Sequence, residues 1–197
     1  MDHIVTDVEI ARTVDEVGGW DHTDRMLVGV AAVWSYRDQR LRFYGPDDVE
    51  DLRARLLAAD RISTYNGNSF DYPVIWGVPR SEWECPENLR DPIGQNAVSC
   101  IKSTLFAKSN DLLARIWQAL GCREKGWKLD DVCRATLGVG KIDQGEDAPV
   151  LFKAGKWAKL YSYVADDVCL ERDLTDFVDT YGFLIGGNGR VLWLDGK

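Results

Sequence analysis

The segment Ile4-Val5-Thr6-Asp7-Val8-Glu9-Ile10 decides how the rest of the chain is read. Its β-branched residues predict a strand, and strand alternation puts Asp7 and Glu9 on one face with Val8 and Ile10 on the other. Two carboxylates held side by side repel each other unless they are protonated, solvated or bridged by a cation. The segment is therefore either an edge strand with wet acids or one wall of a metal site built from oxygen ligands.

Outward from this strand, an apolar run at 27–36 turns through Arg37-Asp38-Gln39 into a second run at 41–44. That pattern predicts a hairpin, so the chain opens with three antiparallel strands. Pro46 then stands where a helix begins, and Val49, Leu52, Leu56 and Leu57 recur at helical spacing up to Ala59. A short strand at 61–65 leads into the turn Asn66-Gly67-Asn68 and a helix carrying Asp71, with Pro73 in its first turn. Residues 78–96 are rich in proline and polar groups and read as irregular. Helical patterns follow at 111–120, 129–137 and 157–181, the first two closed by Gly121 and Gly138. Phe183-Leu184-Ile185 and Val191-Leu192-Trp193 flank a glycine-rich loop and predict a closing hairpin. The fold class is α/β: a mixed sheet of three antiparallel strands with parallel additions, flanked by helices.

The 197 residues fit one domain, with a core at 4–181 and the hairpin as an extension at 182–197. At 45% hydrophobic and 28% charged residues, the composition excludes disordered, collagenous and coiled-coil classes. With 24 basic against 32 acidic residues the net charge is −8, so no general basic field attracts long duplexes or anionic lipid. A polyanion must be gripped locally. Lys153, Lys156 and Lys159, and separately Arg123, Lys125 and Lys128, are such grips or simply solvated faces. No apolar stretch reaches bilayer length, no signal segment opens the chain, and five cysteines form no CxxC pair; the expectation is a soluble protein of a reducing, cytoplasmic compartment. Both histidines, His3 and His22, lie near the start and no G-x-S-x-G elbow exists, which excludes a Ser-His-Asp hydrolase; Walker and dinucleotide glycine patterns are also missing.

Two later features carry chemistry. Asp71 follows a strand end, where open sheets place their sites, although an acid in a first helical turn also simply complements the helix dipole. In 157–181, spacing four stacks Tyr163 one turn from Asp167, while neighbouring Asp166 faces about 100° away. An aromatic core position beside a wet acidic face would give the same pattern.

Taken in order, Thr6-Asp7-Val8-Glu9, Tyr65-Asn66-Gly67-Asn68-Ser69-Phe70-Asp71 and Tyr163-Val164-Ala165-Asp166-Asp167-Val168 resemble the three motifs of the DEDDy branch of 3′-5′ exonucleases, whose fold is ribonuclease H-like. The run Trp127-Lys128-Leu129-Asp130-Asp131-Val132, with Lys141 beyond, is similar to the segment before the third motif in predicted exonucleases related to family B DNA polymerase proofreading domains. The resemblance spans residues 4–181. One departure is Ile10, where the family commonly has Thr; it bears on a terminal-nucleotide contact and not on the acids.

The resemblance implies that Asp7, Glu9, Asp71 and Asp167 hold two Mg²⁺ or Mn²⁺ ions, which favour carboxylate ligands. Tyr163 would orient the attacking water, and Asn66, Asn68 and Phe70 would contact the terminal nucleotides. The implied activity is hydrolysis at the 3′ end of single-stranded DNA or RNA, DNA preferred. Two rival readings are a catalytically silent nucleic-acid-binding module of the same fold and an unrelated α/β protein whose acids are dispersed over its surface.

Overall fold

A computed structural model describes residues 1–84, 95–142 and 147–194. The chain runs β1 (His3–Ile10), α1 (Val14–Val17), α2 (Thr23–Met26), β2 (Val28–Ser35), β3 (Arg40–Tyr44), then a 3₁₀ turn at Pro46–Asp48 into α3 (Val49–Ala58). It continues through β4 (Arg61–Thr64), α4 (Asp71–Trp76), α5 (Arg80–Glu84), α6 (Gln95–Phe106), β5 (Ser109–Asp111), α7 (Leu112–Leu120) and α8 (Leu129–Leu137). The last elements are α9 (Ala148–Lys153), α10 (Trp157–Tyr181) and the hairpin β6 (Phe183–Ile185) with β7 (Val191–Trp193).

Five strands form one mixed sheet in the order β3-β2-β1-β4-β5. The pairs β1–β2 and β2–β3 are antiparallel, whereas β4 and β5 add in parallel. The expected arrangement of three antiparallel strands with parallel additions is therefore present, with β1 at the centre. Central position explains its composition, since both faces of β1 must be covered. Ile4 and Val8 join a core with Leu52 and Leu56 of α3, Tyr72 and Ile75 of α4 and Leu105 of α6. On the opposite face Val5, Val30 and Ala32 pack beneath Leu160, Val164 and Val168 of α10. A third cluster joins α7, α8 and the end of α10 to Leu184 and Leu192 of the closing hairpin.

The structure corrects the sequence expectation in three places. Residues 78–96 were expected to be irregular, but α5 lies within them and α6 begins at Gln95; residues 85–94 fall outside the described segments. The strand β5 precedes the helix expected from 111, and Asp111 caps that helix instead of belonging to it, accepting from the Ala114 amide at 3.1 Å. The helix opened by Pro46 starts with a 3₁₀ turn, and its α-helical part begins at Val49. The antiparallel edge of β1 also carries a bulge: Glu9 pairs with Val30 and Ile10 with Val28, skipping Gly29. A Cβ on Gly29 would lie 3.0 Å from the Glu9 carbonyl oxygen, so the close approach needs glycine there. No described helix is long and apolar enough to cross a membrane.

Candidate metal centre

Because β1 alternates, Asp7 and Glu9 emerge on the face covered by α10, beyond the point where Val5 fills the apolar interface. On α10, Leu160, Val164 and Val168 face the sheet, and the same stripe continues through Asp167. A carboxylate oxygen from each of Asp7, Glu9 and Asp167 lies within 4.8 Å of the other two. Residues 158 positions apart in sequence thus meet where the strand centre passes under the helix.

Asp71, at the start of α4, is buried and stands outside that tight trio, yet it lies in the same electric field. Burial, followed by the charges of Asp7, Asp111 and Glu9, raises its pKa well above the ordinary carboxylate value. Burial and the neighbouring acids likewise raise Asp7 and Glu9, and burial raises Asp167. Such a group of acids strongly favours any cation that enters it.

One cation of the protein already answers that field. The Lys141 ammonium donates to Asp167 Oδ2 at 2.5 Å and stands 5.3 Å from the centre of the Tyr163 ring. Burial works against its charge, but the Asp167 carboxylate outweighs burial and keeps it protonated. Tyr163 is half-buried; burial raises its pKa above the usual phenol value, so its hydroxyl keeps its proton at neutral pH.

The turn that carries Asp71 is pinned from below. Asp111 accepts the backbone amides of Asn66 and Asn68, both at 2.9 Å, while capping α7. Asn66 adopts a left-handed φ of 80°, which Asn tolerates better than most residues. A Cβ on Gly67 would come within 2.6 Å of the Thr64 side chain, so the turn rests directly on the end of β4. Asn68 accepts from Ser109 Oγ at 2.8 Å through its side chain and from Trp83 through its carbonyl. The observed hydrogen bonds of Asn66 and Asn68 therefore run inward and build the turn.

A cleft of about 480 Å³ opens over the centre. Glu9, Lys141 and Tyr163 line it, as does Phe70, and neither Asn66 nor Asn68 contributes to its wall. One bank is Thr13 to Asp15, and the other is Asp147 to Pro149. An ion pair between Glu16 of α1 and Lys153 of α9 joins the two sides.

Three residues here were given no site role from sequence. Asp111 was legible only as a helix start. Lys141 was part of the family resemblance without an assigned role. Glu171 is one further turn along α10 from Asp167, with 1% exposure and one oxygen lacking a hydrogen-bond partner. Its signal was the continued spacing of four through Tyr163, Asp167 and Glu171. Burial, then the charges of Asp7, Asp71, Asp167 and Asp111, raises its pKa well above the ordinary value.

Comparison with known proteins bears on the fold. No protein-family model matches the chain, and no curated protein sequence matches it. Among solved structures, the family B DNA polymerase from the hyperthermophilic archaeon Pyrobaculum calidifontis is similar, with a TM-score of 0.60 and 20% identity. The match covers 90% of this chain and 24% of the polymerase chain. The likeness is one of fold, an α/β architecture compatible with the ribonuclease H-like class.

Proposed function

We propose that this protein is a divalent-metal-dependent 3′-5′ exonuclease acting on single-stranded nucleic acid, with DNA preferred over RNA. The observation that carries the proposal is the meeting of Asp7, Glu9 and Asp167 within 4.8 Å, beneath a cleft that Tyr163 also lines. The similarity to the fold of a DNA polymerase chain supports the choice of nucleic acid and of DNA. The 3′ direction rests on the motif resemblance.

The residues fit a pair of hard cations. The donors are carboxylate oxygens with no soft ligand among them, and burial makes their shared negative charge unfavourable without a counter-ion. Asp7, Glu9, Asp71 and Asp167 would hold Mg²⁺ or Mn²⁺. Bound there, the metal would neutralise phosphoryl charge and make water a competent nucleophile near neutral pH.

The protein's own groups have separate tasks. Tyr163, whose hydroxyl stays protonated, positions water or a phosphoryl oxygen by hydrogen bonding and is not the base. Lys141 holds Asp167 in place and brings positive charge to a cleft whose other charged lining residues are Glu9, Asp15 and Asp147. Phe70 offers a ring to the terminal base. Hydrolysis replaces the bond from phosphorus to the 3′ oxygen with one to water oxygen, and the proton ends on the departing 3′ oxygen.

One observation favours the second reading, a silent nucleic-acid-binding module: Lys141 already supplies Asp167 with a counter-charge. Digestion of a 5′-labelled single strand in Mn²⁺ separates the two. The expected result is stepwise shortening by the parent protein, and loss of at least about a hundredfold in rate in D7A with oligomer binding in chelator retained. Equal activity in D7A and parent would refute the metal-centre reading, and binding without cleavage by the parent would establish the silent module.

A further inference from the structure

The run Leu129-Asp130-Asp131-Val132 opens α8, and the metal-centre reading gives its first acid no task. Asp130 stands in the first turn of the helix, which ends at Gly138 with a left-handed φ of 75°. The chain then returns alongside the helix, so that Lys141 comes level with Asp130. There the backbone of Lys141 is held twice. Its amide donates to Asp130 Oδ1 at 2.7 Å, and its carbonyl oxygen accepts from the Arg134 guanidinium at 3.4 Å. Arg134, one helical turn from Asp130, donates to the second oxygen of that carboxylate at 3.0 Å. A Cβ on Gly140 would collide with the Asp130 carboxylate and lie 2.7 Å from the Arg134 side chain, so the close approach of the backbone to this pair needs glycine.

The clamp bears on the acidic centre through the Lys141 side chain, whose ammonium donates to Asp167 Oδ2 at 2.5 Å. Seating an ammonium on a four-carbon stem against one carboxylate costs rotamer entropy. Fixing the backbone from which the stem springs confines that search. An ammonium seated on Asp167 also offsets negative charge that a metal ion would otherwise meet, so the two cations compete for one carboxylate.

We infer that Asp130 is a positioning residue: with Arg134 it clamps the backbone of Lys141 and so keeps the lysine ammonium on Asp167 as a tethered counter-ion, in competition with a divalent cation. The inference rests on the metal-centre reading and deepens it, since metal affinity then depends on a contact outside the acid cluster. Asp130 also bears on Asp167 through its own charge. Charge and clamp act in opposite directions. Loss of the charge alone weakens cation binding, whereas release of Lys141 strengthens it.

The test is calorimetric titration of Mn²⁺ into the metal-free parent protein, K141M, D130A, D130N, G140A and the D130A/K141M double variant. K141M is expected to bind Mn²⁺ about tenfold more tightly than the parent. D130A should shift affinity in the same direction by about threefold, and should add nothing in the K141M background, because it acts only through the lysine. D130N keeps an oxygen that accepts from the Lys141 amide and should stay within about twofold of the parent. G140A should follow D130A, because its Cβ pushes the carboxylate off that amide. A general loosening of the fold would weaken Mn²⁺ binding in every variant. If D130A binds no more tightly than the parent, changes affinity further in the K141M background, or is matched by D130N, the clamp is refuted while the metal centre stands. K141M binding no more tightly than the parent refutes the competition. A parent that binds no Mn²⁺ removes the metal-centre reading and the clamp with it.

Discussion

Replacing Asp7 by Asn tests whether the protein stores an electrostatic penalty that a cation relieves. In the folded state burial, then the Asp167 charge, raises the Asp7 carboxyl from 3.8 to about 7. An unfolded chain releases that proton near pH 4, so between about pH 4 and 7 the unfolded state binds fewer protons and folding stability falls as pH rises. At 1.36 kcal/mol per pH unit the penalty reaches about 4 kcal/mol above pH 7, and for a chain of this size that is roughly 10 °C in melting temperature. D7N, close to isosteric and without charge, escapes it. Differential scanning calorimetry of metal-free protein across this range should show D7N melting above the parent at about pH 8 and together with it at about pH 4. Mn²⁺ at about a hundred times its dissociation constant should return about 2.7 kcal/mol to the parent and much less to D7N. A parent melting temperature that rises with pH relative to D7N would show that the acids are solvated, and the cation argument would fall.

The other predictions concern the turn and the wall that hold the site. G67A should destabilise the protein by about 1–3 kcal/mol in urea unfolding, because its Cβ would press on Thr64 at 2.6 Å. The same variant should bind Mn²⁺ more weakly by calorimetric titration, since the turn it displaces carries Asp71; unchanged stability would mean that the turn relaxes freely. Y65F should cost about 1–3 kcal/mol, since the Tyr65 hydroxyl donates to the buried Trp127 carbonyl oxygen at 2.5 Å and its loss leaves that oxygen unsatisfied. Equal unfolding midpoints for Y65F and parent would contradict that account. D7A in the digestion assay completes the set.

Much of the fold was legible where local pattern and tertiary demand agree. The long α10 was read with its ends at 157 and 181, because its apolar stripe is periodic and Gly182 closes it, and the closing hairpin strands were read in full, because two short apolar runs flank a glycine-rich loop. The strand β5 was not legible. Ser109-Asn110-Asp111 has no strand propensity, and it becomes a strand because β4 offers an unpaired parallel edge to it. The short helices α1, α2 and α9 are similarly hidden, being one turn or two long and held by caps and neighbours.

By itself, the amino-acid order determined that Asp7 and Glu9 share a face, that Tyr163 and Asp167 share another, and that Asp71 follows a strand end, because side-chain direction within one element is set by backbone periodicity. Only the tertiary structure decided that these faces meet, that Lys141 pairs with Asp167, and that Glu171 is drawn into the acidic interior. Those outcomes depend on how α10 crosses β1 and on the path of the chain between them. Helix packing and loop closure set both, and neither leaves a periodic mark in the sequence.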